Sequence, residues 1–160
     1  KYRTNGALAC SCIFVKRFYT MAPLVYVTRR ERFNAAHKLW NPSWDEAKNK
    51  ATFGKCANPN WHGHNYEMFV TVKGHPHPET GYCIDLKLLS DIIDRLVLDP
   101  MDHKNLNLDV PFLTGQLTSS ENVVVAIWNQ LHAEIAQHGC TLHSIRLLET
   151  ENNIVEYFGE

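Results

Sequence analysis

Apolar and polar side chains follow a β-strand pattern in four segments of the chain. The first, residues 24–33, is rich in β-branched and aromatic side chains and predicts a strand that runs towards His37. Residues 64–73 show the clearest alternation. Residues 142–149 and 153–158 predict two further strands at the end of the chain.

Two segments between these strands have apolar residues at helical spacing. The first helix is expected to begin after Asp85, whose carboxylate can cap it, and to end at Pro100. The second has capping-box spacing at Thr118 and Glu121, and Gly139 stands where a left-handed residue is expected after its end. The element order predicts an α+β domain: a four-stranded antiparallel sheet with two helices on one face.

The remaining segments have the composition of loops. Residues 44–52, within the long connection 39–61, suit a short helical turn. Residues 81–85 suit either a short strand or an extended lead-in to the first helix, and residues 102–117 are expected to be a loop. A connection as long as 39–61 in a compact domain is usually functional.

The composition narrows the class of protein. Of 160 residues, 44% are hydrophobic and 21% are charged, which is usual for a globular chain of one domain. No stretch approaches the roughly 20 apolar residues that span a bilayer, and the net charge of -1 shows no bulk signature of nucleic-acid binding. We therefore expect no membrane partner and no nucleic-acid partner.

Residues 1–20 differ from the rest because they carry four basic residues and no acid. Such a leader is one signature of an organelle transit segment. This stretch lacks the Arg and Ser richness of those segments, so we favour an N-terminal extension that is disordered or non-native. The natural start is then Met21, and residues 21–160 form the domain.

The cysteines favour a reducing compartment. The five form an odd and scattered set, unlike a disulfide framework. This pattern favours a cytoplasmic protein. The set consists of Cys10, Cys12, Cys56, Cys83 and Cys140.

A His-x-His pair at the entry to the clearest strand suggests a metal site. His62 and His64 are two residues apart, so their side chains point to the same face of a strand, with Gly63 between them. The first strand pairs naturally with this one and ends at His37, which can supply a third imidazole. Three neutral imidazoles suit Zn²⁺ and leave a fourth position for water or substrate. Alternatively, His62 and His64 are loop or surface residues and His37 is a core histidine.

Cys56, six residues before His62, is the candidate reactive thiol. Lys55 and a nearby Zn²⁺ would favour its thiolate form. Asp102 and His103 can complete a Cys/His/Asp group in which the histidine exchanges a proton with the thiol. Two alternatives stay open: Asp102-His103 is a turn pair, or Cys56 is a fourth ligand that closes a structural zinc site.

Taken in order, several motifs resemble those of the 6-pyruvoyl-tetrahydropterin synthase family, especially its animal-type enzymes. They are Phe-Gly-Lys-Cys at 53–56, His-Gly-His-Asn-Tyr at 62–66, Asp-His-Lys-Asn-Leu at 102–106, Ser-Glu-Asn at 120–122 and Glu-Thr-Glu-Asn-Asn at 149–153. The resemblance runs from about residue 24 to residue 160 and implies the tunnelling fold. In that fold the sheets of three subunits close a β-barrel without exposed edges. Two trimers stack into a homohexamer with active sites between subunits.

The resemblance also implies an activity. It is a lyase reaction of tetrahydrobiopterin synthesis, the conversion of 7,8-dihydroneopterin triphosphate to 6-pyruvoyl-tetrahydropterin with loss of triphosphate. Zn²⁺ on the three histidines would act as a Lewis acid. Cys56 would be the general base, and Asp102 and His103 would complete a proton relay. Mg²⁺ would accompany the substrate triphosphate.

Glu149 would anchor the pterin, because a carboxylate can accept from two adjacent N–H donors. Without the resemblance, Glu149 and Glu151 are indistinguishable strand-end or turn carboxylates. Ser119 and Ser120 would help to hold the ring, although polar residues are equally expected at the start of a helix.

Three other interpretations of the sequence differ from this one at identifiable residues. In the 6-carboxy-tetrahydropterin synthase of queuosine synthesis, three residues usually separate the cysteine from His-Gly-His, whereas five do here. A malaria-type relative has glutamate in place of Cys56. A protein of another class, a non-catalytic zinc-stabilised assembly module, would have a closed metal site.

Trp61 departs from the family, which usually has glycine there, and its ring is expected to reshape the loop carrying Cys56.

Overall fold

Two long strands form the centre of a sheet in the computed structural model, which describes residues 22–160. β1 (Val25–His37) and β2 (His62–Gly74) are antiparallel along their whole length, and His37 lies opposite His62 at one end of the pair. Alternate side chains of β2 face the core, as the two-residue period requires. The buried ones are Tyr66, Met68, Val70 and Val72.

Three shorter strands complete the sheet in the order β3-β1-β2-β4-β5. β4 (Thr141–Leu148) is antiparallel to β2, and β5 (Ile154–Tyr157) is antiparallel to β4. β3 (Lys104–Asn105) is parallel to the end of β1, in the segment predicted to be a loop. Two residues are too few to show a period, so β3 was not predicted, whereas the four antiparallel strands were.

The helical segment after Asp85 begins as predicted and ends later than predicted. The Asp85 carboxylate accepts from the N–H of Lys87 at 2.8 Å and caps α2 (Leu86–Ile93). The chain continues through a π turn into α3 (Asp99–Met101), which contains Pro100. Proline is tolerated there because the first turn of a helix does not use its N–H groups. Residues 81–85 form no strand and lead into α2 through a bend at residues 83–84.

α4 (Ser120–Ala136) begins one residue later than the capping-box spacing predicted. Its cap is Ser119, whose Oγ accepts from the N–H of Asn122 at 3.5 Å. Thr118 is fully buried and its hydroxyl bonds elsewhere, which is why it cannot cap. Gly139, at φ 76°, has the left-handed conformation predicted after the helix.

The core lies between one face of the sheet and the helices α2 and α4, as the α+β prediction required. Side chains of β1, β2, β4 and both helices form one apolar cluster. The predicted turn in the long connection is α1 (Glu46–Phe53). No helix in residues 22–160 is long and apolar enough to cross a bilayer. The predictions for residues 1–20 lie outside the described residues.

Candidate metal centre and adjoining cleft

Three histidines converge where β1 and β2 meet. His37 and His62 are register partners, and His64 lies one strand repeat further along β2 on the same face. The centroids of the three rings are 4.5–5.1 Å apart. One ligand nitrogen of each lies within 4.8 Å of the others, and no second group of this kind occurs in the described part of the chain.

The tautomer of His37 follows from a hydrogen bond. Its Nδ1–H donates to the carbonyl of Thr118 at 2.8 Å, which leaves Nε2 as the electron-pair donor facing the cluster. The Thr118 hydroxyl is held by Asn107 at 3.0 Å and by the carbonyl of Lys38 at 3.3 Å. A histidine that binds a metal through one ring nitrogen usually donates the N–H of its other ring nitrogen in this way.

Two further nitrogens of the cluster, His62 Nδ1 and His64 Nε2, are buried without a hydrogen-bond partner. Buried polar atoms are nearly always satisfied, so these atoms fit ligands of a cation. Burial lowers the pKa of His37 and His62, and the Thr118 hydrogen bond only partly opposes this for His37. The rings of His37 and His62 are therefore neutral near pH 7, the form that binds metal.

Glu149 faces this cluster from the end of β4. Its Oε1 lies 3.6 Å from His37 Nε2 and 3.8 Å from His64 Nε2. The hydroxyl of Ser120 donates to the same oxygen at 3.0 Å. Ser120 therefore orients the carboxylate, whereas Ser119 caps α4 and lines the cleft beside it.

Cys56 lines a cleft of about 420 Å³ together with His37, Glu149, Ser119 and Ser120. A 3-10 turn, Gly54–Ala57, carries the cysteine. The carbonyl of Cys56 accepts from the N–H of Leu39 at 2.8 Å, which holds this turn against the chain just after β1. The sulfur does not join the group of ligand atoms within 4.8 Å of one another, so the geometry favours an open three-histidine site.

Tyr66 adds a hydroxyl beneath the cluster that sequence reasoning missed. Its oxygen lies 3.5 Å from His37 Nε2. Burial, followed by the charges of Glu149 and Cys56, raises the pKa of Tyr66, so the hydroxyl stays protonated and can donate. Tyr66 is fully buried, so the β2 pattern marks it as a core residue and does not indicate this contact.

Asp102 and His103 form a pair just before β3. His103 Nδ1 lies 2.9 Å from Asp102 Oδ2, and Asp102 Oδ1 accepts from the N–H of Asn34 at 2.8 Å. The Asn34 hydrogen bond is the main reason why the pKa of Asp102 is lowered. The His103 side chain is 76% exposed and lines a second cleft, which shares no lining residue with that of Cys56. Within one copy, Cys56 and His103 therefore line different clefts, and His64 lines that of His103.

Trp61, just before the first ligand of β2, has a left-handed backbone with φ 67°. Glycine adopts this conformation most readily, which accounts for the glycine that the family resemblance places here. The Trp61 ring packs on the ammonium of Lys38. Nothing in the local pattern indicated this contact, because it joins the two ends of the connection 39–61.

Comparison with known proteins shows what the chain is similar to. The profile of the family described as 6-pyruvoyl tetrahydropterin synthase matches residues 26–160. The chain is 42% identical over 134 residues to 6-pyruvoyl tetrahydrobiopterin synthase of Homo sapiens, covering 84% of this chain and 91% of that protein. The Dictyostelium discoideum protein of that name is 40% identical over 140 residues, covering 88% and 100%. The solved structure of Caenorhabditis elegans 6-pyruvoyl tetrahydropterin synthase is similar with a TM-score of 0.81 at 38% identity, covering 87% of this chain and 98% of that one.

Proposed function

Since the chain belongs to the 6-pyruvoyl tetrahydropterin synthase family, we propose that it converts 7,8-dihydroneopterin triphosphate to 6-pyruvoyl-tetrahydropterin with elimination of triphosphate. The predicted α+β tunnelling fold is confirmed by the similarity to the solved family structure. The observation that carries the proposal is the cluster of three histidines beside a cleft that contains a thiol and a carboxylate.

His37, His62 and His64 would hold Zn²⁺. The donor set supports this metal, because three neutral imidazoles suit Zn²⁺ and two ring nitrogens of the cluster are buried without a hydrogen-bond partner. When bound, Zn²⁺ would supply Lewis-acid polarisation of a side-chain oxygen of the substrate. The pterin triphosphate is expected to bring Mg²⁺ with it.

Glu149 would orient the pterin ring. Its Oε1 is held by Ser120, and a carboxylate offers acceptors to an adjacent ring N–H and exocyclic amine. Ser119 lines the same cleft and would contact the ring with its hydroxyl. This anchoring places the substrate side chain towards the histidine cluster, since the Glu149 carboxylate lies within 4 Å of two of the ring nitrogens.

Cys56 would remove a proton from a side-chain carbon of the substrate. Its place in the cleft that contains His37 and Glu149 supports this role. Asp102 would orient His103, with which its carboxylate is hydrogen-bonded, and His103 would exchange the proton with the thiol. Because His103 lies on a separate cleft of the same copy, we assign it to the site of a neighbouring copy.

A homohexamer, built as two stacked trimers with closed β-barrels, would bring these copies together. β5 pairs only with β4 among the described strands, and β1 pairs with β3 over two residues only. Such free edges are usually covered in native proteins, and closure between copies would cover them. We propose that residues 21–160 form this subunit.

The proposed compartment is the cytoplasm. Cys56, Cys83 and Cys140, the cysteines within the described residues, are all unpaired. Unpaired cysteines are usual in a reducing compartment.

One experiment separates this function from its rivals. The zinc-loaded protein is incubated with 7,8-dihydroneopterin triphosphate, and the pterin product and free triphosphate are identified by mass spectrometry. We expect 6-pyruvoyl-tetrahydropterin and triphosphate in equal amounts, and neither with Cys56→Ala. A 6-carboxy pterin would favour the queuosine-type enzyme. No turnover, with sulfur bound to the resting metal, would favour the assembly module.

A further inference from the structure

A lysine lies between two tryptophan rings at the open end of the β1–β2 pair. Lys38 Nζ is 4.5 Å from the centroid of the Trp61 ring and 5.1 Å from that of Trp40. His37 and His62 are register partners. Lys38 directly follows His37, and Trp61 directly precedes His62. The three side chains, which we call the Lys38 clamp, therefore lie immediately beyond two of the candidate ligands.

Trp61 takes part in this clamp at a conformational cost. Its φ of 67° lies in the left-handed region, which is unfavourable for a residue with a bulky side chain. Such conformations persist only where the surrounding contacts over-determine them, and they concentrate at functional sites. The contacts here are the Lys38 ammonium on the ring and the hydrogen bond from the Trp61 N–H to the Asn58 carbonyl at 3.1 Å.

The clamp is one of the contacts that hold the segment that carries the thiol. We define residues 54–61 as the Cys56 loop. Near the thiol, the carbonyl of Cys56 accepts from the N–H of Leu39 at 2.8 Å. At its far end, the loop is held by Lys38 through the Trp61 ring. Both contacts therefore lead to residues 38–39, directly after β1.

The backbone of Lys38 is itself held by hydrogen bonds. The amide oxygen of Asn107 accepts from the Lys38 N–H at 3.0 Å, and its amide nitrogen donates to the Lys38 carbonyl at 3.1 Å. The hydroxyl of the buried Thr118 also donates to that carbonyl at 3.3 Å. Since Thr118 holds His37 as well, the clamp couples the Cys56 loop to the support of the histidine cluster.

We propose that Lys38 and Trp61 are positioning residues for the Cys56 thiol, because the clamp closes the Cys56 loop against the end of β1. This inference rests on the proposed function, in which Cys56 acts on the substrate. Neither residue lines the cleft that contains Cys56 and Glu149. Loss of the clamp is therefore expected to lower kcat, whereas KM, which depends on anchoring by Glu149, changes little.

Matched variants isolate the clamp. Lys38→Met removes the charge and keeps an apolar side chain of similar length. Lys38→Arg keeps a cation that can stack on both rings and should retain function. Trp61→Asn removes the ring but tolerates the left-handed backbone. Lys48→Met is the control, because the Lys48 ammonium lies 4.2 Å from the Trp44 ring in the same long connection, outside the Cys56 loop.

Hydrogen–deuterium exchange and steady-state kinetics provide the test. In Lys38→Met and Trp61→Asn, we expect faster exchange in residues 54–61 and at the Leu39 amide, which the Cys56 carbonyl protects in the native protein. A loss of kcat of roughly ten- to a hundredfold is expected from a displaced reacting group. Lys38→Arg should keep both the exchange rates and kcat near those of the native protein, and Lys48→Met should alter neither.

Two results would overturn the proposal. One is exchange in Lys38→Met that equals exchange in Lys48→Met; the other is faster exchange without loss of kcat. If Trp61→Asn fails to fold, the Lys38 series decides alone. Absence of turnover in the native protein would refute the proposed function instead, and the positioning role that rests on it. The exchange measurement would then still show whether the clamp holds the loop.

Discussion

At the scale of single residues, the bond from His37 to Thr118 determines which nitrogen faces the cluster. With Nδ1–H donated to a backbone carbonyl, Nε2 is the atom left for a ligand bond. Burial keeps the ring neutral by lowering its pKa. His62 and His64 contribute the buried nitrogens that have no other partner. The cluster is therefore arranged for a cation before any substrate arrives.

Replacement of one ligand tests this arrangement. His64→Asn should weaken zinc binding by more than the roughly 10- to 100-fold that is typical of changes in residues behind the ligands. Dialysis against buffered zinc followed by elemental analysis measures the metal bound per chain. His138→Asn, an exposed histidine after α4, is the matched control. Equal zinc content in both variants would contradict the assignment of His64.

The Cys140 thiol should make the stability of the folded protein depend on pH in alkaline solution. Burial, with the neighbouring Cys83 second, raises the pKa of the Cys140 thiol from 9.0 to about 11. Between these values the folded protein binds more protons than the unfolded chain, so its stability should fall as pH rises through this window. Urea unfolding at pH 8 and pH 10 measures the loss, which should be smaller in Cys140→Ala. The same loss in both proteins would argue against a raised pKa.

At the scale of elements, the two long strands and their register place the ligands. A shift of one residue between β1 and β2 would turn the side chains of one strand to the opposite face. The burial of alternate β2 side chains in the core therefore also fixes the face on which His62 and His64 lie. The helix α2 covers this core and depends on its cap.

Removal of that cap should affect stability alone. Asp85→Ala leaves the N–H of Lys87 without its acceptor and should cost about 1 kcal/mol of unfolding free energy. Asp85 does not line the cleft of Cys56, so kcat should not change. Chemical denaturation and the turnover assay measure the two quantities. Reduced turnover in a folded variant would show that α2 influences the site.

The sequence predicts elements better than it predicts contacts between them. Two-residue spacing and natural strand pairing were enough to bring His37, His62 and His64 together. The bond from Ser120 to Glu149 spans 29 residues and that from His37 to Thr118 spans 81, so no local period indicates them. The prediction that the first helix ends at Pro100 was wrong. A π turn follows α2, and Pro100 then lies in the first turn of α3, where proline is tolerated.

At the scale of the whole molecule, the separation of Cys56 from His103 within one copy makes assembly part of the account. The two residues line clefts without a common residue. The edge strand β5, and the part of β1 that the two-residue β3 does not cover, provide surfaces through which copies can join. A site completed by a neighbour would make the oligomer necessary for activity.

Subunit complementation tests this dependence. Cys56→Ala and His103→Asn should each be nearly inactive alone, and asparagine tolerates the left-handed φ of 58° at position 103. When the two variants are unfolded together and refolded, mixed oligomers should regain activity, because some interfaces combine an intact thiol with an intact histidine. Wild-type mixed with either variant serves as the reference. No recovery in a properly assembled mixture would place both residues in one subunit's site.

The central claim is that three imidazoles bind one ion and leave it an open position beside an unligated sulfur. X-ray absorption spectroscopy of the zinc-loaded protein, without substrate, measures the ligand shell directly. The account predicts three nitrogen neighbours at about 2.0–2.1 Å with one further light atom, and no sulfur. A sulfur neighbour at about 2.3 Å would show that Cys56 closes the site, and would contradict the account.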